Sequence, residues 1–150
     1  MKLKLFLLLA LAAFAVSPAL AQAKLTAKTA AGKTAQATPH RIVYDMVVAD
    51  TAQHAGLMRQ LNNIKRGWPD AQIEVVVHGK ALDMLVADQS TQVDAIRELQ
   101  AKGVVFAACE NTMRAHQVVK AQLIPSVITV PMGVGEIIMK QEEGWGYIRF

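Results

Sequence analysis

From His40 onward the chain repeats one alternation: a short run of β-branched and apolar residues, a turn, then apolar residues three and four positions apart. This pattern constrains the fold more than any other feature, because strands separated by helical segments run mostly parallel and are covered by those segments on the faces of their sheet. Arg41–Val48 is the first predicted strand, and Ala49-Asp50-Thr51 turns it into a helix with Asp50 as N-cap. Leu57, Met58, Leu61 and Ile64 share one face of that helix, which Gly67-Trp68-Pro69-Asp70 closes. Gln72–Val77 is the second strand and runs into His78-Gly79, followed by a short helix over Ala81–Val86 and a polar loop over Asp88–Thr91. Thr91 and Asp94 have the spacing of a capping box for a helix with Val93, Ile96 and Leu99 on its apolar stripe, and Gly103 stops it. Val104–Ala108 is the third strand; Thr112–Gln122 is a helix capped by Asn111 or Thr112; Ser126–Val130 is the fourth strand. Pro131-Met132-Gly133 turns into a helix over Val134–Glu143, and Gly144 releases a last strand, Trp145–Phe150. The expected fold class is α/β, a mostly parallel sheet with helices on both faces.

The only cysteine stands at one of the strand-to-helix junctions, in Val104–Met113, VVFAACENTM. Five apolar residues lead to Cys109, and the polar run Glu110, Asn111, Thr112 follows before the helical pattern resumes. That places the thiol at a strand's carboxyl end, facing helix amides, where roughly half a positive charge favours a thiolate. In a parallel sheet the carboxyl ends share one edge, so Asp50, His78, Cys109 and Met132 are expected there together. One thiol, one imidazole and helix N-termini suit thiolate or persulfide chemistry. Each residue also has a plain structural reading. A lone cysteine among Val, Phe and Ala is commonly a small buried hydrophobe. His78 before a glycine can simply bond backbone, Asn111 can serve only as a cap, and Met132 can be core or rim. His54 and His116, in helical patterns, are expected to face solvent or a subunit.

Other chemistries find little support. The scattered histidines and single cysteine lack the C-x-x-C and H-x-x-x-H spacings that gather zinc ligands, so no metal is expected. There is no C-x-x-C redox pair, no P-loop and no serine-hydrolase elbow, and Gly133-x-Gly135 is only a fragment of a dinucleotide fingerprint. Five of the 16 basic residues precede His40, leaving 11 against 12 acidic ones in the remainder. With no stripe of basic residues interleaved with aromatics, nucleic acid is not an expected partner.

The first residues read as a secretory signal: Lys2 and Lys4, an apolar region over Leu5–Val16, and Ala19-Leu20-Ala21 as an A-x-A cleavage site. Cleavage is expected after Ala21, with Ala23 as the fallback. The apolar region is shorter than a membrane span of roughly 18 residues or more, so no stable membrane insertion is expected. Gln22–Pro39, built almost wholly from Ala, Thr, Lys, Gln and Gly, reads as a flexible leader before a domain over 40–150. Export matters for Cys109. In an oxidising compartment an unpaired cysteine is either buried and inert or reacts with something outside its chain.

The signal segment, H-R-I-V-Y, E-V-V-V-H-G, A-A-C-E-N-T-M, L-I-P-S-V-I-T-V-P-M-G-V and the terminal G-W-G-Y-I-R-F together resemble the DsrE/DsrF-like family, in its exported single-domain branch. The resemblance covers about Arg41–Phe150. It implies a three-layer α/β/α sandwich around about five strands, assembly as homotrimers or homohexamers, and no cofactor. It further implies a cysteine that accepts sulfur as a persulfide and passes it to a partner protein, and Cys109 looks like that cysteine. The expected function is therefore a periplasmic sulfur-handling protein, with His78 orienting or protonating the sulfur and Glu110, Asn111, Thr112, Asp50 and Met132 around it. The alternative is a non-catalytic oligomeric binding or scaffold module with a buried structural cysteine. A soft-metal binder using Cys109 with Met132 or His78 is a weaker third reading. Trp68, Ile137 and Ile138 are candidate contact residues between subunits, and each also has the plainer reading of a core residue.

Overall fold

The computed structural model describes residues 38–150, so the expected signal segment and all but the end of the expected leader lie outside the described residues. Five strands, β1 (Arg41–Met46), β2 (Gln72–Val77), β3 (Val104–Cys109), β4 (Ile128–Val130) and β5 (Gly146–Arg149), form one sheet in the order β4-β3-β2-β1-β5. Every pairing is parallel. Four α-helices connect them: α1 (Thr51–Gly67), α2 (Val93–Ala101), α3 (Glu110–Ala115) and α4 (Gly133–Glu142).

Handedness explains how these helices divide between the two faces. Going from β1 to β4 the chain steps one place at a time in the same direction, and right-handed crossovers put all those connections on one face. The last connection returns across the whole sheet from β4 to β5 and so takes the opposite face. The core follows this division. On the first face, Tyr44, Met46, Val75 and Phe106 are fully buried against Leu57 and Leu61 of α1 and Ile96 and Leu99 of α2. On the second, Val43, Val76, Ala107 and Val130 meet only Ile137 of α4 and the half-buried Trp145. Val105, Ile128 and Tyr147, beside α4, are left more than a third exposed.

Where the elements differ from expectation, local chemistry accounts for it. β1 stops at Met46 rather than Val48, where pairing with β2 ends. The short second helix is a 3-10 helix over Gly79–Leu85. The Thr91–Asp94 capping box does not form. Gln92 is the N-cap without a side-chain bond to the helix, and the Ser90 hydroxyl instead accepts the Gln92 N–H at 3.1 Å. The helix expected over Thr112–Gln122 is broken: α3 ends at Ala115, Gln117 takes φ +57°, and a separate 3-10 helix covers Lys120–Gln122. Ser126, at φ +69°, lies outside β4, which begins only at Ile128. Asp50 caps α1 as expected, its carboxylate accepting the Ala52 N–H at 2.8 Å. Gly103, at φ +81°, follows α2 and turns the chain into β3, a left-handed conformation that a side chain would strain.

Candidate functional site

β3 leads into α3 on one face while β4 leads into α4 on the other, and the crevice between two such strand ends is where open parallel sheets place ligands. Cys109 stands at that divergence. It is the last residue of β3, pairs with Val130 of β4, and is itself the N-cap of α3. The cap therefore falls on Cys109 and not on Asn111 or Thr112. The thiol points to the α4 side, where Gly133, the first residue of α4, donates its N–H to Cys109 Sγ at 3.2 Å. Burial pushes the Cys109 thiol up. The N–H groups of Thr112, Gly133 and Asn111 and the Thr112 hydroxyl outweigh that, and the thiol lies below its ordinary value. Two helix N-termini thus converge on one sulfur.

Gly133 is what lets them meet. A Cβ there would stand 3.3 Å from Cys109 Cβ and 3.3 Å from both Cβ and Cδ2 of His78, tighter than ordinary contact. His78 and Cys109 therefore flank the same backbone position from adjacent strands. Thr112 joins them from below the crevice, its hydroxyl oxygen accepting the Gly79 N–H at 3.1 Å and tying the turn after β2 to the start of α3.

His78 has a second set of partners that sequence reasoning missed. Its Nε2 lies 2.9 Å from Asp45 Oδ1, and the Tyr147 hydroxyl donates to Asp45 Oδ2 at 2.8 Å. Asp45 is a buried carboxylate in the otherwise apolar end of β1, and Tyr147 is on β5, so the chain of bonds crosses three neighbouring strands. The Asp45 hydrogen bond, with some burial, pushes the Tyr147 hydroxyl up. A lone acidic residue inside a strand was the available signal for Asp45. Its partners depend on strand order.

The remaining expected residues fall elsewhere. Asp50 is exposed and committed to capping α1, two strands from Cys109. The Asn111 side chain accepts from Arg114, and half-buried Glu110 lies 4.0 Å from the same arginine, so both side chains serve the surface of α3. Met132 is an exposed rim residue, its methyl folded against Gly135. His54 is buried rather than solvent-facing, with Nε2 2.7 Å from the Val48 carbonyl oxygen; His116 is exposed. Ile137 is core, Ile138 is half exposed, and Trp68 is half exposed against the His40 ring. Among the described residues no three His, Cys, Asp or Glu side chains group as metal ligands, and no helix is long and apolar enough to cross a membrane. A cleft of about 850 Å³ lies between α1 and α2, away from the thiol.

Comparison with known proteins fits this architecture. The model of the DsrE/DsrF-like family matches residues 7–150. The chain belongs to that family. As a DsrE/DsrF-like protein it shares its fold with a protein of unknown function, MTH1491 from Methanobacterium thermoautotrophicum, at 33% identity and TM-score 0.71, over 74% of this chain and 99% of that one. The ychN protein from E. coli has the same fold at 10% identity and TM-score 0.64, over 75% of this chain and 100% of that one. So does BT1422 from Bacteroides thetaiotaomicron, of unknown function, at 17% identity and TM-score 0.62, over 73% and 94%. No curated protein matches the chain. Membership in the DsrE/DsrF-like family suggests a role related to sulfur relay.

Proposed function

We propose that this protein is exported to the periplasm, where it carries sulfane sulfur as a persulfide on Cys109, taking it from a donor and passing it to an acceptor protein. The observation that carries the reading is the Gly133 N–H at 3.2 Å from Cys109 Sγ, in a setting that holds the thiol low. A terminal persulfide anion is stabilised by the same donors as a thiolate, so one cradle serves both ends of the cycle. Glu110, Asp50 and Met132 have no part in binding sulfur in this reading, and His78 handles the proton. Apolar side chains left exposed beside and along α4 support assembly as a homotrimer or homohexamer through that face.

The test is intact mass of the protein recovered from the periplasm, before and after brief exposure to polysulfide. A mass corresponding to cleavage near Ala21 and a gain of one sulfur atom, removed by reductant and absent in Cys109→Ser, is the expected result. Absence of the protein from the periplasmic fraction would refute export, and equal sulfur uptake by Cys109→Ser would refute the carrier role.

A second reading draws on one observation, that Cys109 is only 4% exposed. In that reading the chain is an oligomeric scaffold and the thiol is core. It predicts a thiol that labels only after unfolding, whereas the carrier reading predicts labelling in the native state.

A further inference from the structure

Glu74 is buried in the middle of β2, on the α4 face of the sheet, between Val43 of β1 and Val105 of β3. Its Oε2 lies 3.0 Å from Lys140 Nζ, while Oε1 has no hydrogen-bond partner among the described residues, so Lys140 is the cation that offsets its burial. Lys140 also lies 3.4 Å from Glu136, one turn back on α4, and 4.7 Å from the centre of the Trp145 ring. Gly133, Glu136, Ile137 and Lys140 are spaced i, i+3, i+4, i+7 and make the sheet-facing stripe of α4. Of these only Ile137 joins the apolar cluster of that face, and Val134, Ile138 and Met139 remain about half exposed. The chain enters α4 from β4, a three-residue strand at the edge of the sheet, through Pro131 and Met132 alone. A helix so lightly packed needs its polar contact to fix its tilt on the sheet. Gly133 and Lys140 stand seven residues apart, about 10 Å along one rigid helix. At one end of the stripe the Gly133 N–H reaches Cys109 Sγ at 3.2 Å, and at the other Lys140 reaches Glu74.

We propose that Glu74 and Lys140 are positioning residues for Cys109: by clamping the far end of α4 to the sheet, they hold the Gly133 N–H on the sulfur. A hydrogen bond weakens steeply as its angle and length depart from the optimum, so a small tilt of α4 about Ile137 is enough to release Sγ. Neither clamp residue touches the thiol, and both act through the helix. Sulfur loading depends on the clamp only in the carrier reading above, where the thiolate is the acceptor; the acidity of the thiol depends on it in either reading.

The test is the pH profile of Cys109 alkylation by iodoacetamide in folded protein, with circular dichroism checking the fold of each variant. Glu74→Ala and Lys140→Met are both expected to move the midpoint upward and to slow the reaction at pH 7 by about threefold, the equivalent of half a pH unit. Lys140→Arg, which keeps the ion pair, should retain the wild-type profile. The shared direction identifies the clamp, because the charges themselves act through space in opposite senses: loss of the Glu74 anion alone would ease ionisation of the thiol, and loss of the Lys140 cation would hinder it. His78, the titratable side chain that shares Gly133 with the thiol, is unchanged in all three variants. In a Gly133→Ala background Glu74→Ala should add no further shift, since both substitutions act on the same amide. Glu74→Ala removes the buried anion rather than stranding it, so it and the double variant decide the matter even where Lys140→Met fails to fold. A midpoint unmoved or lowered in Glu74→Ala, or an upward shift that persists in full in the Gly133→Ala background, overturns the proposal. If wild-type Cys109 is alkylated but takes up no sulfur from polysulfide, the carrier reading fails, and the midpoints still decide whether Glu74 and Lys140 set the acidity of the thiol.

Discussion

A single missing methyl group sets the geometry of the thiol. Gly133 lies against Cys109 and His78 closely enough that a Cβ would press on both at 3.3 Å, and it is this approach that brings its N–H to the sulfur. Gly133→Ala is expected to fold, since alanine is the better helix former and the neighbours need to give by only a few tenths of an ångström. The amide then withdraws from Sγ, one of the donors holding the thiol low weakens, and the thiol titrates higher. At neutral pH less thiolate is present. Alkylation of native protein, followed against pH, should show a midpoint moved upward and a rate at pH 7 lower by about three- to tenfold, a full unit being tenfold. An unmoved midpoint would mean that the Gly133 amide does not contribute to the thiol's acidity.

At the scale of the element, α4 is held to the sheet by charge as well as by Ile137. Lys140 Nζ lies 3.0 Å from Glu74 and 3.4 Å from Glu136, and Glu74, in the middle of β2, is only 4% exposed. Burial pushes the Glu74 carboxyl up, against the pull of Lys140, while Lys140 is itself raised because the two carboxylates outweigh its own burial. Removing Lys140 strands a buried anion. Lys140→Met is expected to cost roughly 3 kcal/mol in urea unfolding at neutral pH. The sign of its pH dependence follows from linkage. With its folded value above the unfolded one, Glu74 takes up a proton in the native state first, so the loss shrinks as pH falls through the folded value and grows as pH rises through it. A loss independent of pH would show that the cost is packing alone. The same element shows what a sequence can carry. The strands and the ends of α1 and α4 are legible because β-branched runs, Asp50 and the glycines act locally. The extra length expected of α3 arises because apolar spacing continues through Val118, while Gln117 turns the backbone to positive φ. The Asp45–His78–Tyr147 line is illegible beforehand, since it exists only once β5 is known to lie beside β1.

For the molecule as a whole, the one-way progression from β1 to β4 leaves a face with a single helix on it. Val134, Ile138 and Met139 of α4 are about half exposed, and Val105 and Ile128 beside it more than a third. A charge placed there without touching the core separates assembly from folding. Ile138→Glu is expected to convert an oligomer seen by light scattering into monomers while leaving the monomer's fold intact by circular dichroism; an unchanged particle mass would remove this face from the assembly surface. The order of the strands has one more consequence. Residues 38–130 contain β1 to β4 and all the helices of the larger core layer, whereas the Gly133 amide and the Tyr147 hydroxyl arrive only with residues 131–150. A chain emerging from its N-terminus therefore presents Cys109 with only the Asn111 and Thr112 donors of α3 around it, and the Gly133 amide is added as the last act of folding.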